Sequence, residues 1–259
     1  MALKISFANQ KGGVGKSNLL FHTSGVLSEM GKKVLCIDVD PQGTLSTAFM
    51  GIGFHEIEKT IIDILREESD GIENIIKPTE FKNIHIIPAS QKLHGLDIEA
   101  ARDHDIPVYL AEELANINDY YDYILIDTPA NLGMSTRIAL LASDYTIIPV
   151  MCLGETIDVL DEIVDFIKKV QARANPRLDL LGMVVNMLDI KRTSTEQTIK
   201  DMLNKKYSGA VLRTEFRRRL HFADSYSVGK PINYYKPTSE EADTARTFVK
   251  EIITYVQTR

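Results

Sequence analysis

The sequence contains no tryptophan and only two cysteines. Cys36 and Cys152 sit in apolar surroundings and form no metal-ligand spacing, so both read as small core residues, which argues against an iron–sulfur relative. No apolar run reaches the 18 or more residues that mark a membrane-spanning helix, and none is expected. The N-terminus lacks a charged-then-apolar export signal and enters an apolar run directly, so the expected location is cytoplasmic. There is no internal repeat, low-complexity tract or linker. What remains is 259 residues, 44% hydrophobic and 25% charged, the make-up of a soluble globular chain long enough for one large α/β domain. The net charge of −6 would by itself argue against nucleic acid. Its distribution does not: residues 190–236 hold eleven Lys/Arg against four Asp/Glu, a local +7 that leaves −13 on the rest. A basic segment on an acidic body can mark an anion-binding face.

The chain is organised around residues 10–18, Gln-Lys-Gly-Gly-Val-Gly-Lys-Ser-Asn. An apolar run, Leu3 to Ala8, precedes it, and a helix-compatible run, Ser17 to Met30, follows. Strand, glycine-rich loop and helix in that order are the context of a phosphate-binding loop. Gly12, Gly13 and Gly15 let backbone N–H groups turn inward without a Cβ clash, and the helix N-terminus attracts anions. Lys16 can reach the β- and γ-phosphates, and Ser17 can place its hydroxyl on Mg²⁺. Gln10 stands where the common pattern has its first glycine, and Lys11 is a second lysine the common pattern lacks.

Downstream, apolar strands alternate with helices, which predicts a doubly wound, mostly parallel sheet flanked by helices, in one domain over 1–259. Lys33 to Asp38 reads as a strand closed by Pro41 and Gly43, leaving Asp38 and Asp40 at its end. Asn83 to Pro88 reads as a strand, Ser90 to Ala101 as a helix, and Pro107 as the first turn of another. Tyr123 to Asp127 has the form of a Walker B segment, an apolar run that delivers one carboxylate to the sheet edge, where it can hold Mg²⁺ through water. Tyr145 to Val150 and Leu180 to Asn186 read as strands, and Glu155 to Ala174 as a helix. Thr238-Ser-Glu-Glu241 reads as a capping box before a helix whose apolar stripe is Ala245, Phe248, Val249, Ile252, Ile253 and Val256. That stripe is expected to pack on the sheet. A membrane-anchoring role would call for a more basic polar face than Asp243, Thr244, Thr247, Glu251, Thr254 and Thr258 provide.

Lys11-Gly-Gly-Val-Gly-Lys-Ser17 resembles the deviant Walker A box of the ParA/MinD ATPases. Three further stretches, in order, strengthen the likeness to ParA/Soj-type partition ATPases. Asp38-Val-Asp-Pro-Gln-Gly43 looks like the family's first switch segment, Asp127-Thr-Pro129 like its Walker B end, and Ser227-Val-Gly-Lys-Pro-Ile232 like its Ser-His-Gly-Lys-Pro-Ile. Ala130 replaces the family's second proline, Arg217 a proline near the base, and Val228 the histidine.

The resemblance implies a P-loop ATPase with ATP and Mg²⁺, slow and stimulated by a partner. The loop Gly12, Gly13, Val14, Gly15, Lys16, Ser17 and Asn18 would hold the nucleotide. Lys11 would reach across an ATP-state homodimer to the partner's nucleotide. Asp40 would orient the attacking water and, like Asp127, contact Mg²⁺ through water beside Ser17. Asn186 would face adenine or cap its strand. Arg217, Arg218 and Arg219, with Arg192 and Lys230 and more weakly Lys191, are candidates for non-specific contacts to DNA phosphates, or for an ordinary solvated face. A ParB-type centromere-binding protein is the implied partner, with no membrane, a nucleoid location and a role in plasmid or chromosome partition. With the loop at residue 10, no N-terminal helix-turn-helix extension and no sequence-specific operator binding are expected. Two alternatives stay open: a MinD-like ATPase on a membrane surface, and a ParA-like ATPase that positions a protein cargo.

Overall fold

The computed structural model describes residues 1–51, 56–154, 156–191 and 193–258. From the N-terminus the elements are β1 (Leu3–Phe7), α1 (Lys16–Glu29), β2 (Val34–Asp38), α2 (Thr44–Met50), α3 (Ile61–Leu65), β3 (Lys77–Pro78) and β4 (Ile84–Ile87). Then come α4 (Leu96–Ala100), α5 (Ile106–Asn116), β5 (Tyr123–Asp127), α6 (Met134–Leu141), β6 (Tyr145–Val150), α7 (Thr156–Arg173) and β7 (Asp179–Leu188). The chain closes with α8 (Ser194–Lys206), β8 (Val211–Arg217), α9 (Leu220–Ser227), α10 (Ile232–Tyr235) and α11 (Glu240–Gln257).

The strands form one eight-stranded sheet in the order β3-β4-β2-β5-β1-β6-β7-β8. Every pairing is parallel except β3 with β4. A parallel sheet needs helical crossovers, which cover both faces, so its central strands read as continuous apolar runs. Val34–Asp38 is buried at every position for this reason. One face carries α1, α2 and α11 over Phe7, Phe21, Leu125 and Phe248; the other carries α3 to α6 over Leu35, Ile37, Ile124 and Ile126. Full burial of each such side chain contributes roughly 1.5–3 kcal/mol. The stripe on α11 packs as expected, with Ala245, Phe248, Val249 and Ile252 all buried.

Several local expectations change. Ser90 to Ala101 is a 3₁₀ turn over Gln91–Gly95 followed by the short α4, because Gly95 interrupts the α pattern. The cap of α11 is Ser239, whose Oγ accepts the Ala242 N–H at 3.2 Å, and not Thr238. Glu241 is thereby released from a capping role and instead meets His221 at 3.1 Å. β7 runs on past Asn186 to Leu188, with Met187 at φ 57° in a register irregularity against β8. The predicted helix from Glu155 is seen from Thr156, and Glu155 lies outside the described residues.

The basic segment holds a strand that its charge obscured. In β8, Leu212, Thr214 and Phe216 point into the core, while Arg213 and Arg217 point out. β8 is the last strand of the sheet. Glu251 of α11 lies along it, its carboxylate accepting from the Arg213 N–H at 2.6 Å, the Thr214 N–H at 2.9 Å and the Thr214 hydroxyl at 2.6 Å.

Candidate nucleotide site

β1 lies between β5 and β6, and the chain leaves its end to build the 8–15 loop. That is the point where successive crossovers depart in opposite directions, the crevice in which open α/β sheets bind ligands. The loop is anchored from below: the Asn9 amide donates to the Pro149 carbonyl at 2.7 Å and its oxygen accepts the Lys11 N–H at 2.9 Å. Gln10 ties the loop to α7 through Glu162 at 2.5 Å.

Gly13 and Gly15 sit at φ +75° and +86°, the left-handed region that side chains avoid. Gly15 is also a close approach, since a Cβ there would stand 2.5 Å from the Asn186 amide nitrogen. Gly15 caps α1 without any side-chain acceptor, and the first turn of α1 holds no acidic residue. The N–H groups of that turn are therefore left to an anion, which the helix dipole also favours.

Four ionisable groups converge on the same edge. Lys16 is 7% exposed. Burial lowers its pKa, opposed by the nearby charges of Asp127 and Asp40. Asp38 is fully buried and pushed up to about 7, chiefly by desolvation, against hydrogen bonds from Ser46. Its Oδ2 accepts from the Ser46 N–H at 2.9 Å and the Ser46 hydroxyl at 2.7 Å, and its Oδ1 from the Asp40 N–H at 3.1 Å. Asp38 thus holds the first turn of α2 and the strand end that presents Asp40, a supporting role. Asp40 itself accepts the Gln42 N–H at 2.9 Å.

Asp127 differs from Asp38. Both its oxygens are enclosed and neither has a well-formed hydrogen bond among the described residues. Burial, then the neighbouring Asp38, holds its pKa well above the usual carboxylate range, while Ser17 and Lys16 favour the charged form. Ser17 Oγ and Thr44 Oγ1 lie 3.2 Å apart nearby. An orphaned carboxylate beside hydroxyl oxygens and an uncapped helix N-terminus fits a hard, oxygen-ligated cation accompanied by phosphate. The residues present therefore suit Mg²⁺ with a nucleotide: the loop and Lys16 for the phosphates, Ser17 and Asp127 for the cation.

The Asn186 amide donates to the Val14 carbonyl at 2.8 Å and its oxygen accepts the Met187 N–H at 2.9 Å, so it braces the loop. It also lines a cavity of about 150 Å³ with Asn18, Met187, Phe216, Arg217, Arg218, Arg219, Phe222 and Ala223. The arginine triplet predicted for DNA is part of this wall. Arg217 donates to the Ile190 carbonyl at 2.9 Å, and Arg219 to Glu240 at 2.6 Å. Arg218 is the open member, its side chain 63% exposed, with Asp189 at 3.9 Å. Lys191 and Lys230 are exposed, and Arg192 lies outside the described residues. Met187, Phe216 and Phe222 were not anticipated; the alternation Leu212, Thr214, Phe216 was the signal that could have found the last wall strand. A roomier hollow of about 590 Å³, between β8 and α11, lies among Arg213, Thr247, Lys250 and Thr254, away from the loop.

Comparison with known proteins bears on this geometry. The family model for an AAA domain matches residues 2–180. The sporulation initiation inhibitor protein Soj of Bacillus subtilis is 36% identical over 248 residues, 96% of this chain and 97% of Soj. The chain belongs to the ParA/Soj family of ATPases. The chromosome partitioning protein ParA of Caulobacter vibrioides is 32% identical over 251 residues, 96% of this chain and 93% of its own. Among solved structures, a plasmid partition protein from Borrelia burgdorferi superposes with a TM-score of 0.77 at 26% identity, covering 98% of each chain. This ParA/Soj-family chain is an ATPase, and ATP with Mg²⁺ is the cofactor pair of its family.

Proposed function

We propose that residues 1–259 act as one ATP-switched unit that binds DNA without sequence preference and drives partition of plasmid or chromosome cargo with a ParB-type centromere-binding partner. One observation carries the reading: a two-lysine phosphate loop with an uncapped helix N-terminus stands beside Asp127, a buried carboxylate without a hydrogen-bond partner among the described residues. In this reading Lys16 and the backbone of residues 12–17 hold the phosphates. Ser17 and Asp127 hold the cation side, Asp127 through water. Asp40, at the mouth of the site, holds the attacking water, also within water's reach of the cation. Bound Mg²⁺ would supply charge neutralisation on the phosphates. Lys11 would reach the nucleotide of a second copy, so that nucleotide binding and homodimerisation are one event. Slow hydrolysis, stimulated by the partner, would separate the copies.

Two like-signed faces joined in one dimer double the phosphate contacts. Affinity rises steeply with contact number and falls with salt, so a monomer–dimer change is a workable switch for nucleoid DNA in the cytoplasm. Arg218 is the best placed contact because its guanidinium is exposed while its neighbours are engaged. Burial of the apolar stripe of α11 speaks against a membrane-surface role, and no described helix is long and apolar enough to cross a membrane. The test is binding to a random-sequence duplex with ATP, with ADP and without nucleotide, at two salt concentrations. Binding that needs ATP and weakens with salt supports the reading. Binding in no state removes DNA from it.

A further inference from the structure

Tyr226 has no part in the family motifs quoted above, yet its side chain reaches the centre of the site. It lies on α9, directly after the arginine triplet. Its ring is held edge-on against Phe21 of α1, with centroids 5.1 Å apart at 79°. Its hydroxyl is enclosed and makes no well-formed hydrogen bond among the described residues, although the Ser17 and Thr44 hydroxyls are close enough to interact with it. The hydroxyls facing it are those of Ser17 and Thr44, and the carboxylates of Asp127 and Asp38 lie beyond them; burial and these two acids hold the phenol far above its usual range. α9 is also fitted closely to its neighbours. The Asn18 amide donates to the Phe222 carbonyl at 3.3 Å. A Cβ on Gly229, at φ +69°, would stand 2.7 Å from the Ala48 carbonyl of α2.

A buried hydroxyl without a partner is destabilising, and a phenylalanine would keep the ring contact without that cost. The phenol is therefore explained best by a bond to the facing hydroxyls that becomes well formed only when the site is loaded. We propose that Tyr226 is a positioning residue for the cation: its hydroxyl donates into the Ser17–Thr44 hydroxyl pair when Mg²⁺ occupies the site, orienting Ser17 and latching α9 to α1 and α2. Ser17 spends an oxygen lone pair on the cation, so the direction of its own proton becomes fixed. With that proton given to Thr44, the Thr44 hydroxyl is fixed in turn and offers its remaining lone pair to the phenol as a defined acceptor. The latch joins the phosphate loop to the helix that follows Arg217–Arg219, so metal loading also fixes the position of that segment. The inference rests on the placement of the cation at Ser17 and Asp127, and not on DNA binding.

The test is ADP binding by calorimetry with Mg²⁺ and with EDTA, together with melting of the ligand-free protein, for wild type, Tyr226→Phe and Ser17→Ala. Tyr226→Phe is expected to melt no lower than wild type without ligand and to bind ADP equally in EDTA. It is expected to lose about five- to tenfold of the affinity that Mg²⁺ adds, the size of one hydrogen bond to a polarised partner. A merely structural tyrosine would shift both affinities together or lower the ligand-free melting temperature, and either result overturns the proposal. So does an undiminished Mg²⁺ gain in Tyr226→Phe. Ser17→Ala is expected to lose the Mg²⁺ gain altogether. If it keeps that gain, the cation lies elsewhere, and the site assignment falls before the tyrosine does.

Discussion

The loop end of the sheet and the basic segment at its far side put their charges to opposite uses. At the loop end the charges are few and buried, and each has a position dictated by the strand or helix that ends there. Lys16 opens α1, Asp38 ends β2 and Asp127 ends β5. In the basic segment the charges are many and superficial, and much of the positive charge is already matched. Lys200 pairs with Glu215, Lys206 with Asp161 and Arg219 with Glu240. A count of residues 190–236 treats these lysines and arginines alike, but the geometry leaves Arg218 far more open than Arg219, 63% against 29% exposed. Buried charge announces a role by its spacing; surface charge announces one only after its partners are known.

The contrast is broken most severely by Lys16→Ala, which should lower ATP affinity by at least ~100-fold through loss of a buried charge-assisted contact. Calorimetry that found near-normal affinity would move the phosphate site away from this loop. Asp40→Ala should cut turnover by about 100-fold and leave ATP affinity within about threefold, because the residue would act on water and not on the phosphates. Equal turnover in a steady-state assay would take Asp40 out of the chemistry.

A third test acts where the two regions are fastened together. His22 of α1 is fully buried, and its Nδ1 accepts the N–H of Ile232, the first residue of α10, at 3.1 Å. Burial lowers its pKa to about 3. The unfolded chain, with a histidine near 6.5, binds a proton over the interval between about 3 and 6.5 that the folded chain refuses. Stability from this group is thus present above about 6.5 and is lost as pH falls toward 3, by about 2 kcal/mol between pH 7 and 5. Asp38, raised to about 7, acts in the opposite sense, its stabilising contribution being present at low pH and lost as pH rises through 7. Denaturant titrations of wild type and His22→Asn, which keeps an acceptor but does not titrate, isolate the histidine. Parallel pH profiles for the two proteins would refute the assignment.

The smaller effects sharpen the comparison inside the basic segment. Arg218→Ala should weaken ATP-dependent binding to a DNA duplex by about tenfold at low salt and flatten its salt dependence, with ATP affinity unchanged. Arg219→Ala should leave DNA affinity alone and cost at most about 1 kcal/mol of stability, since Glu240 is a surface partner. If the two substitutions behave alike in a fluorescence binding assay, exposure does not select the DNA contact.

The sequence made the loop end legible because backbone requirements are written there as residue types. Gly13 and Gly15 occupy left-handed positions that their sequence pattern anticipates, and the runs ending at Asp38 and Asp127 are apolar because both sheet faces are covered. β8 was hidden because only alternate residues face the core, and its outward positions include two of the segment's arginines. The bond from Asn186 to Val14 was not legible, because the length of β7 past Asn186 and its approach to the loop depend on tertiary register. Tyr226 could not be found from spacing at all: its position beside Ser17 follows from the return of α9 across α1, a contact between residues over 200 apart in the chain.

The carboxylate of Glu251 has a consequence for the molecule as a whole. A terminal strand offers unpaired amide hydrogens on which a strand from another molecule can template itself, the usual beginning of edge-to-edge aggregation. Glu251 occupies two successive amides of β8 with one side chain and leaves its own negative charge at the rim. A single acid on the last helix thus closes two amides of β8 to an incoming strand.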